Sequence, residues 1–334
     1  MTEPASAPAA DRPAAPRVAL VDVARGVALA AMFVFHFTWD LGHFGFITLQ
    51  AGLDPGWRLF SRLIAGSFLV LVGIGLVLST RDGLRPGPYL RRLVTIALAA
   101  LAVTLATRWM DPETFVYFGI LHCIAASSIL ALPALRAPPW WTAFIAALVM
   151  AAPAILRSPA YEGPWWWWTG LSARVPQTSD YEPLLPWFGC VLAGVALARL
   201  AVDRGWDRRL AAWRPSGPLT RLLERGGRHS LTVYLVHQPL FFGLLSLAVA
   251  AGVPRAIPPL PDEIPSVGGF VAACTRTCQE TGVDRAFCLA TCACVDQRLA
   301  GSDIGERALR NAMTAADQTR LKDAAIACRA GGAP

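Results

Sequence analysis

RVALVDVARGVALAAMFVFHFTWDLGH, residues 17–43, is long and apolar enough to cross a bilayer, yet it carries Asp22, Arg25, His36, Asp40 and His43. A crossing helix takes about 20 residues. At 100° per residue, Asp22, Arg25, Leu29, Met32, His36 and His43 follow steps of three and four along one face. Asp40 sits one turn beyond His36 on the same stripe. Arg25 and His36 are roughly 16 Å apart along the axis at 1.5 Å per residue. Ionisable residues at membrane depth cost several kcal/mol and mark a reaction site or a pathway. The stretch therefore predicts a membrane helix with a polar seam.

The rest of the chain agrees with that reading. Its 334 residues are 54% hydrophobic and 16% charged, with a mean hydropathy of +0.45, against roughly 25% charge in soluble domains. The net charge of +7 raises nucleic acid as a partner. The basic residues are nearly all Arg in short loops between apolar segments, so they read as topology signals and no nucleic acid is expected. Residues 1–16, rich in Ala and Pro without an apolar core, are expected to be a disordered lead and not a cleavable signal.

Seven segments are long enough to span: 18–39, 59–79, 89–107, 115–134, 140–156, 184–202 and 230–252. Runs this long and unalternating are helices. The loops 80–92 and 199–229 are rich in Arg, whereas the opposite loops carry Asp54, Asp111, Glu113, Glu162, Asp180 and Glu182. The positive-inside rule then puts the N-terminus in the cytoplasm, and seven crossings put the C-terminus outside.

After the last span, Cys274 and Cys278 are four apart, as are Cys288 and Cys292, with Cys294 and Cys328 following. Residues at i and i+4 share a helix face. An antiparallel helical hairpin would set Cys274 opposite Cys292 and Cys278 opposite Cys288, leaving Cys294 and Cys328 for a third bridge. Six cysteines allow fifteen connectivities, and thiolates at this spacing also bind zinc. The oxidising side assigned to the tail favours disulfides. Cys123 and Cys190 fall inside spans as buried apolar residues.

An Arg at the cytoplasmic end suits phosphate, through bidentate guanidinium contacts. A His near the opposite side can take a proton from an amine or hydroxyl, and Asp40 at i+4 could orient its imidazole. Asp22 pairs with Arg25 at i,i+3. A donor with a charged head and a long neutral arm, such as acyl-CoA, fits between Arg25 and His36. His122 in the fourth span and His237 in the seventh are either functional, at the acceptor and donor respectively, or packing hydrogen-bond partners. Arg58 and Arg62, at i,i+4 on the second span, either hold an anionic acceptor or snorkel to headgroups. The run PWWWW at 164–168 reads as an interfacial belt or a sugar-stacking surface. Asp180, Tyr181 and Glu182 open the sixth span as acceptor ligands or as a helix N-terminal charge preference.

Four stretches in order carry a resemblance: VDVARGVALAAMFVFHFTWDLGHFGF at 21–46, FVYFGILHCIAASSILAL at 115–132, SDYEPLLPWFGCVLAGVAL at 179–197 and GRHSLTVYLVHQPLF at 227–241. Together they resemble bacterial members of the heparan-α-glucosaminide N-acetyltransferase family, over roughly residues 17–245. The resemblance implies a multi-helix enzyme that takes acetyl-CoA from the cytoplasmic side and acetylates an amino sugar on the other. The first helix also resembles that of the wider transmembrane glycan acyltransferases, whose Arg and His separated by ten residues are matched by Arg25 and His36. This makes His36 the expected catalytic base. In lysosomal members the position matching His36 is Asn and the essential His lies further along, which makes His43 the second candidate.

The expectation is therefore an all-α polytopic membrane protein with about seven transmembrane helices and a small disulfide-stapled helical C-terminal tail. Its parts are a lead (1–16), an acyltransferase-like domain (17–253), a linker (254–270) and a cysteine-rich periplasmic tail (271–334). The expected partners are membrane lipid and a periplasmic sugar or glycan acceptor. Acetyl-CoA is the donor, no metal is expected, and a homo-oligomer is left open. The competing expectation is a transporter or scaffold, hinted at by Gly66, Gly73, Gly75 and Pro239 within spans.

Overall fold

The computed structural model describes residues 17–254, apart from 48, 50, 53, 113 and 177, together with 268–280, 285–310 and 312–330. The N-terminal lead and the 255–267 part of the linker lie outside the described residues. The chain divides into two compact units, residues 1–256 and 257–334.

Among the described residues the first unit is built from nine α-helices: α1 (Ala19–His43), α2 (Pro55–Thr80), α3 (Pro86–Met110), α4 (Ile120–Leu130), α5 (Pro139–Leu156), α6 (Leu184–Asp203), α7 (Trp206–Ala212), α8 (Pro218–Arg228) and α9 (Ser230–Ala250). Six of them, α1, α2, α3, α5, α6 and α9, are long and apolar enough to cross a membrane. The seventh apolar helix, α4, has 11 residues, roughly 16 Å or half a bilayer core.

The expected span over 115–134 is shorter for a visible reason. Residues 115–119 are drawn into side-chain and loop hydrogen bonds instead of a helical ladder. Thr104 Oγ1 of α3 donates to the Val116 carbonyl (2.8 Å), and Thr107 Oγ1 accepts from the Val116 amide (3.0 Å). The Glu182 amide donates to the Phe118 carbonyl (3.0 Å). Non-helical backbone survives at depth only where protein satisfies it, as here.

Helices α2 and α6 cross at the centre of the unit. A side-chain carbon on Gly73 would lie 2.1 Å from the Val191 carbonyl oxygen, and one on Gly194 2.1 Å from that of Val70. Small residues let membrane helices approach backbone to backbone. The glycines of α2 thus pack an unbroken helix. Leu69, Leu76, Val77, Val191, Leu192 and Val195 fill the surrounding core with Cys123 and Ala146. A second cluster, of Leu29, Met32 and Ile64 with Phe33, Phe60 and Tyr234, ties α1 to α2 and α9.

The second unit holds α10 (Gly268–Glu280), α11 (Arg285–Arg298), α12 (Ile304–Leu309) and α13 (Ala315–Ala330). Disulfides join Cys274 to Cys292, Cys278 to Cys288 and Cys294 to Cys328. Phe270, Val295, Leu299 and Ile304 form its small core. Arg307 bridges Asp303 and Asp317, which holds the Asp317 carboxyl well below the ordinary aspartate range.

Candidate active site

The seam on α1 is met by different neighbours along its length. At its N-terminal end Arg25 Nη1 donates to Asp22 Oδ1 at 2.9 Å, and Arg228 Nε of α8 lies 3.8 Å from Asp22 Oδ2. The Arg25 guanidinium rests over α2 where a glycine leaves room: a side-chain carbon on Gly75 would be 2.6 Å from Nη2. Arg92 of α3 lies within electrostatic range of Arg25. Asp22 thus faces two guanidiniums, Arg25 and Arg228, the second shared with Glu224, and with Arg92 nearby three guanidiniums meet two carboxylates, so the balance is positive. Next to it, Arg17, Arg228, His229, Ser230, Leu231 and Thr232 line a cleft of about 470 Å³ at the N-terminus of α9.

Midway along α1 the seam meets α9. The His36 and His237 rings contact edge-on, centroids 5.0 Å apart, and Phe33 stacks on His237 at 5.4 Å. His237 Nδ1 lies 2.6 Å from the Tyr234 carbonyl oxygen. A carbonyl only accepts, so Nδ1 carries the hydrogen and Nε2 is left as an acceptor. His237 Nε2 is buried and has no hydrogen-bond partner among the described residues. One turn further, Asp40 is fully buried and its Oδ1 accepts from Gln238 Nε2 at 2.8 Å. Asp40 Oδ2 and Gln238 Oε1 are buried without partners among the described residues.

Two adjacent residues of α9 thus answer two residues of α1 one turn apart. Asp40 engages Gln238, and no hydrogen bond joins it to His36 among the described residues, so its orienting role at i+4 gives way to a clamp across the helix pair. His237, assigned from the sequence to the donor, stands beside His36. His43 closes the seam by stacking flat on Trp39 (5.3 Å, 9°) beside Phe44 and Phe242, roughly 10 Å beyond His36.

His122 is engaged in the fold. The Gly119 amide donates to its Nδ1 (3.3 Å), which leaves Nε2–H to donate to Thr104 Oγ1 (3.2 Å). Asp180 Oδ2 accepts from the Ile120 amide (3.0 Å) and caps α4. Burial pushes the Asp180 carboxyl up while that amide pulls it back. Glu182 stands well above the ordinary glutamate value, chiefly through burial and then through Asp180, with Arg62 opposing. Its Oε2 is buried without a partner among the described residues. Tyr234, which fixes His237 through its carbonyl, is within electrostatic range of both carboxyls. Arg58 and Arg62 are exposed on α2. Tyr181 donates to the Trp167 carbonyl (2.6 Å), which anchors the Trp run to the 180–182 corner.

The family model described as heparan-alpha-glucosaminide N-acetyltransferase, catalytic, matches residues 17–239. The chain belongs to this family. No curated protein and no solved structure matches it. Family membership makes the first unit an N-acetyltransferase-like transmembrane protein, and it implies acetyl-CoA as donor. The matched region takes in the whole seam and both α9 residues that face it, and the cysteine-rich unit lies outside it. The sequence did not single out Gln238, Arg92 or Tyr234. Gln238 follows His237 directly and Tyr234 precedes it by one turn, so the helical period was the available signal. Arg92 gave none, because its approach to Arg25 is made by packing.

Proposed function

We propose that the protein moves an acetyl group from cytoplasmic acyl-CoA to an amino or hydroxyl group of a sugar on the opposite membrane face. The observation that carries this reading is the contact of half-buried His36 with buried His237, His36 being on the same helix face as Arg25 and roughly 16 Å from it. Arg25 and Arg92, with Arg17 and Arg228 at the neighbouring cleft, are the residues that fit a phosphate-bearing donor: at the seam the guanidiniums of Arg25, Arg92 and Arg228 outnumber the carboxylates of Asp22 and Glu224. When bound, the donor supplies an activated thioester.

His36 acts as general base, taking the proton from the acceptor nitrogen or oxygen as it attacks the thioester carbonyl, and returns it to the CoA sulfur as the C–S bond breaks. The neutral imidazole, half-buried between Phe35 and His237, is the form the task requires. His237, with its hydrogen fixed on Nδ1, stands beside it as an acceptor. The Asp40–Gln238 bond holds α9 in register with α1. Asp180 and Glu182 offer carboxyls to an acceptor amine. The arginine-rich loops support a cytoplasmic donor side, and three disulfides support an oxidising location for the tail.

Purified full-length protein in lipid nanodiscs is expected to bind CoA and to transfer acetyl to an amino sugar, with transfer lost in His36→Ala. Wild-type protein without measurable CoA affinity would overturn the reading. Loss of activity in His43→Ala with retention in His36→Ala would move the base to His43.

A further inference from the structure

The two short helices between α6 and α9 carry charges that do not balance. Residues 204–228 contain seven arginines and two acids. Both acids are engaged inside the fold: buried Asp207 accepts from Arg81 (3.2 Å), and Glu224 pairs with Arg228. Arg208, Arg209, Arg221 and Arg225 are exposed, with no carboxylate in ion-pair range among the described residues.

Beside this charge lies exposed apolar surface. Leu219 and Leu222 of α8 are 66% and 65% exposed, and Trp206 and Leu210 of α7 and Trp213 just after it are exposed. At 100° per residue, Leu219 and Leu222 form one flank of α8, with Arg225 and Arg221 on the next. Leu223 and Gly227 turn the remaining side to α1. A side-chain carbon on Gly26 would be 2.1 Å from the Leu223 carbonyl oxygen, and one on Gly227 1.8 Å from that of Asp22. Helix α8 is therefore seated backbone to backbone on the N-terminal end of a membrane-spanning helix, and its leucines and arginines are left facing outward.

An apolar flank beside a basic one is the pattern of a helix lying in the plane of a membrane interface. Water satisfies the arginines but not the leucines and tryptophans. A zwitterionic headgroup layer covers the apolar flank, but its choline charge offsets each phosphate that a guanidinium takes up. Anionic phospholipid satisfies both, because guanidinium forks take phosphate oxygens in pairs while the acyl chains cover the apolar flank. We propose that α7 and α8 form an interfacial arm that binds anionic phospholipid headgroups. The inference rests on charge and packing in this arm and is independent of the acyl-transfer reading.

The test uses the full-length protein in phosphatidylcholine bilayers containing traces of spin-labelled phosphatidylglycerol or spin-labelled phosphatidylcholine. The motionally restricted fraction gives the preference for one lipid over the other. The wild type is expected to prefer phosphatidylglycerol about fivefold, the attraction of roughly one surface guanidinium. In R208Q/R209Q/R221Q/R225Q the preference falls to near unity, whereas Arg221→Lys with Arg225→Lys keeps most of it. Equal restriction of both lipids by the wild type overturns the proposal. An unchanged preference in the glutamine variant also overturns it, since the lipid would then be held elsewhere. If that variant fails to fold, R208Q/R209Q and R221Q/R225Q are read separately; each is expected to lose part of the preference, and no loss in either overturns the proposal.

Discussion

Gln238→Leu removes the hydrogen bond that Asp40 receives from α9. Asp40 is fully buried and its other oxygen has no partner among the described residues, so water cannot replace the lost donor. Neutral interhelical hydrogen bonds in membranes average about 0.6 kcal/mol, whereas bonds to a charged group contribute about 1.5–3 kcal/mol. With a carboxyl as acceptor at 2.8 Å, a loss of about 2 kcal/mol is expected. Asp40→Leu strands the Gln238 amide instead and costs a similar amount. The double variant strands neither group, and replacing both partners by apolar groups is close to neutral. The cycle should therefore show a coupling of about 4 kcal/mol in magnitude, two single costs of about 2 against a double cost near zero, read from unfolding of the full-length protein in mixed micelles. Costs that add within about 0.5 kcal/mol, the range for independent sites, would refute a direct Asp40–Gln238 clamp. Asp40→Asn keeps an acceptor oxygen for Gln238 Nε2, so it should fold, with the bond reduced to the neutral value of about 0.6 kcal/mol.

The remaining expectations follow from the same geometry. His36→Ala should lower acetyl transfer by about 10²–10⁴-fold, and His43→Ala should stay within a few-fold of wild type, because His43 is stacked on Trp39 away from the His36–His237 contact; steady-state kinetics separate the two. Gly75→Val should push Arg25 off its seat and raise the KM for acyl-CoA about tenfold with a smaller change in kcat, as expected for a lost charged contact to the donor. Glu182 is raised in the folded protein, so the folded state holds its proton more tightly than the unfolded state. Stability should then fall as pH rises from the ordinary glutamate value, about 4.3, through the raised one. Glu182→Gln should flatten that slope in pH-resolved thermal melts. Loss of the Cys294–Cys328 bridge, 34 residues apart, should cost the tail about 3–4 kcal/mol by loop entropy; hydrogen exchange should show faster opening in α11 and α13 of Cys294→Ser/Cys328→Ser.

The membrane class, the helical character and the seam on α1 were legible because each follows from hydropathy and from the 3.6-residue period. The extent of α4 was not. Residues 115–119 are apolar enough to continue a span, and it is Thr104 and Thr107 of another helix that take up the Val116 backbone. Among the candidate residues, spacing put His36 and Asp40 on one face, but it could not say which helix the face would meet.

Bilayer thickness, backbone satisfaction and cysteine usage leave few alternatives to a polytopic helical membrane protein with a disulfide-stapled tail, and all three are read from residue order. Tertiary structure alone decided the partners. It set His237 against His36, gave Asp40 to Gln238, turned His122 inward as a cap, and seated Arg25 over Gly75 near Arg92. The physical reason is that periodicity reports the face of one helix. The chemistry of a site depends on which two faces meet, and that is fixed by crossings such as Gly73 on Gly194, where glycines allow two backbones to touch.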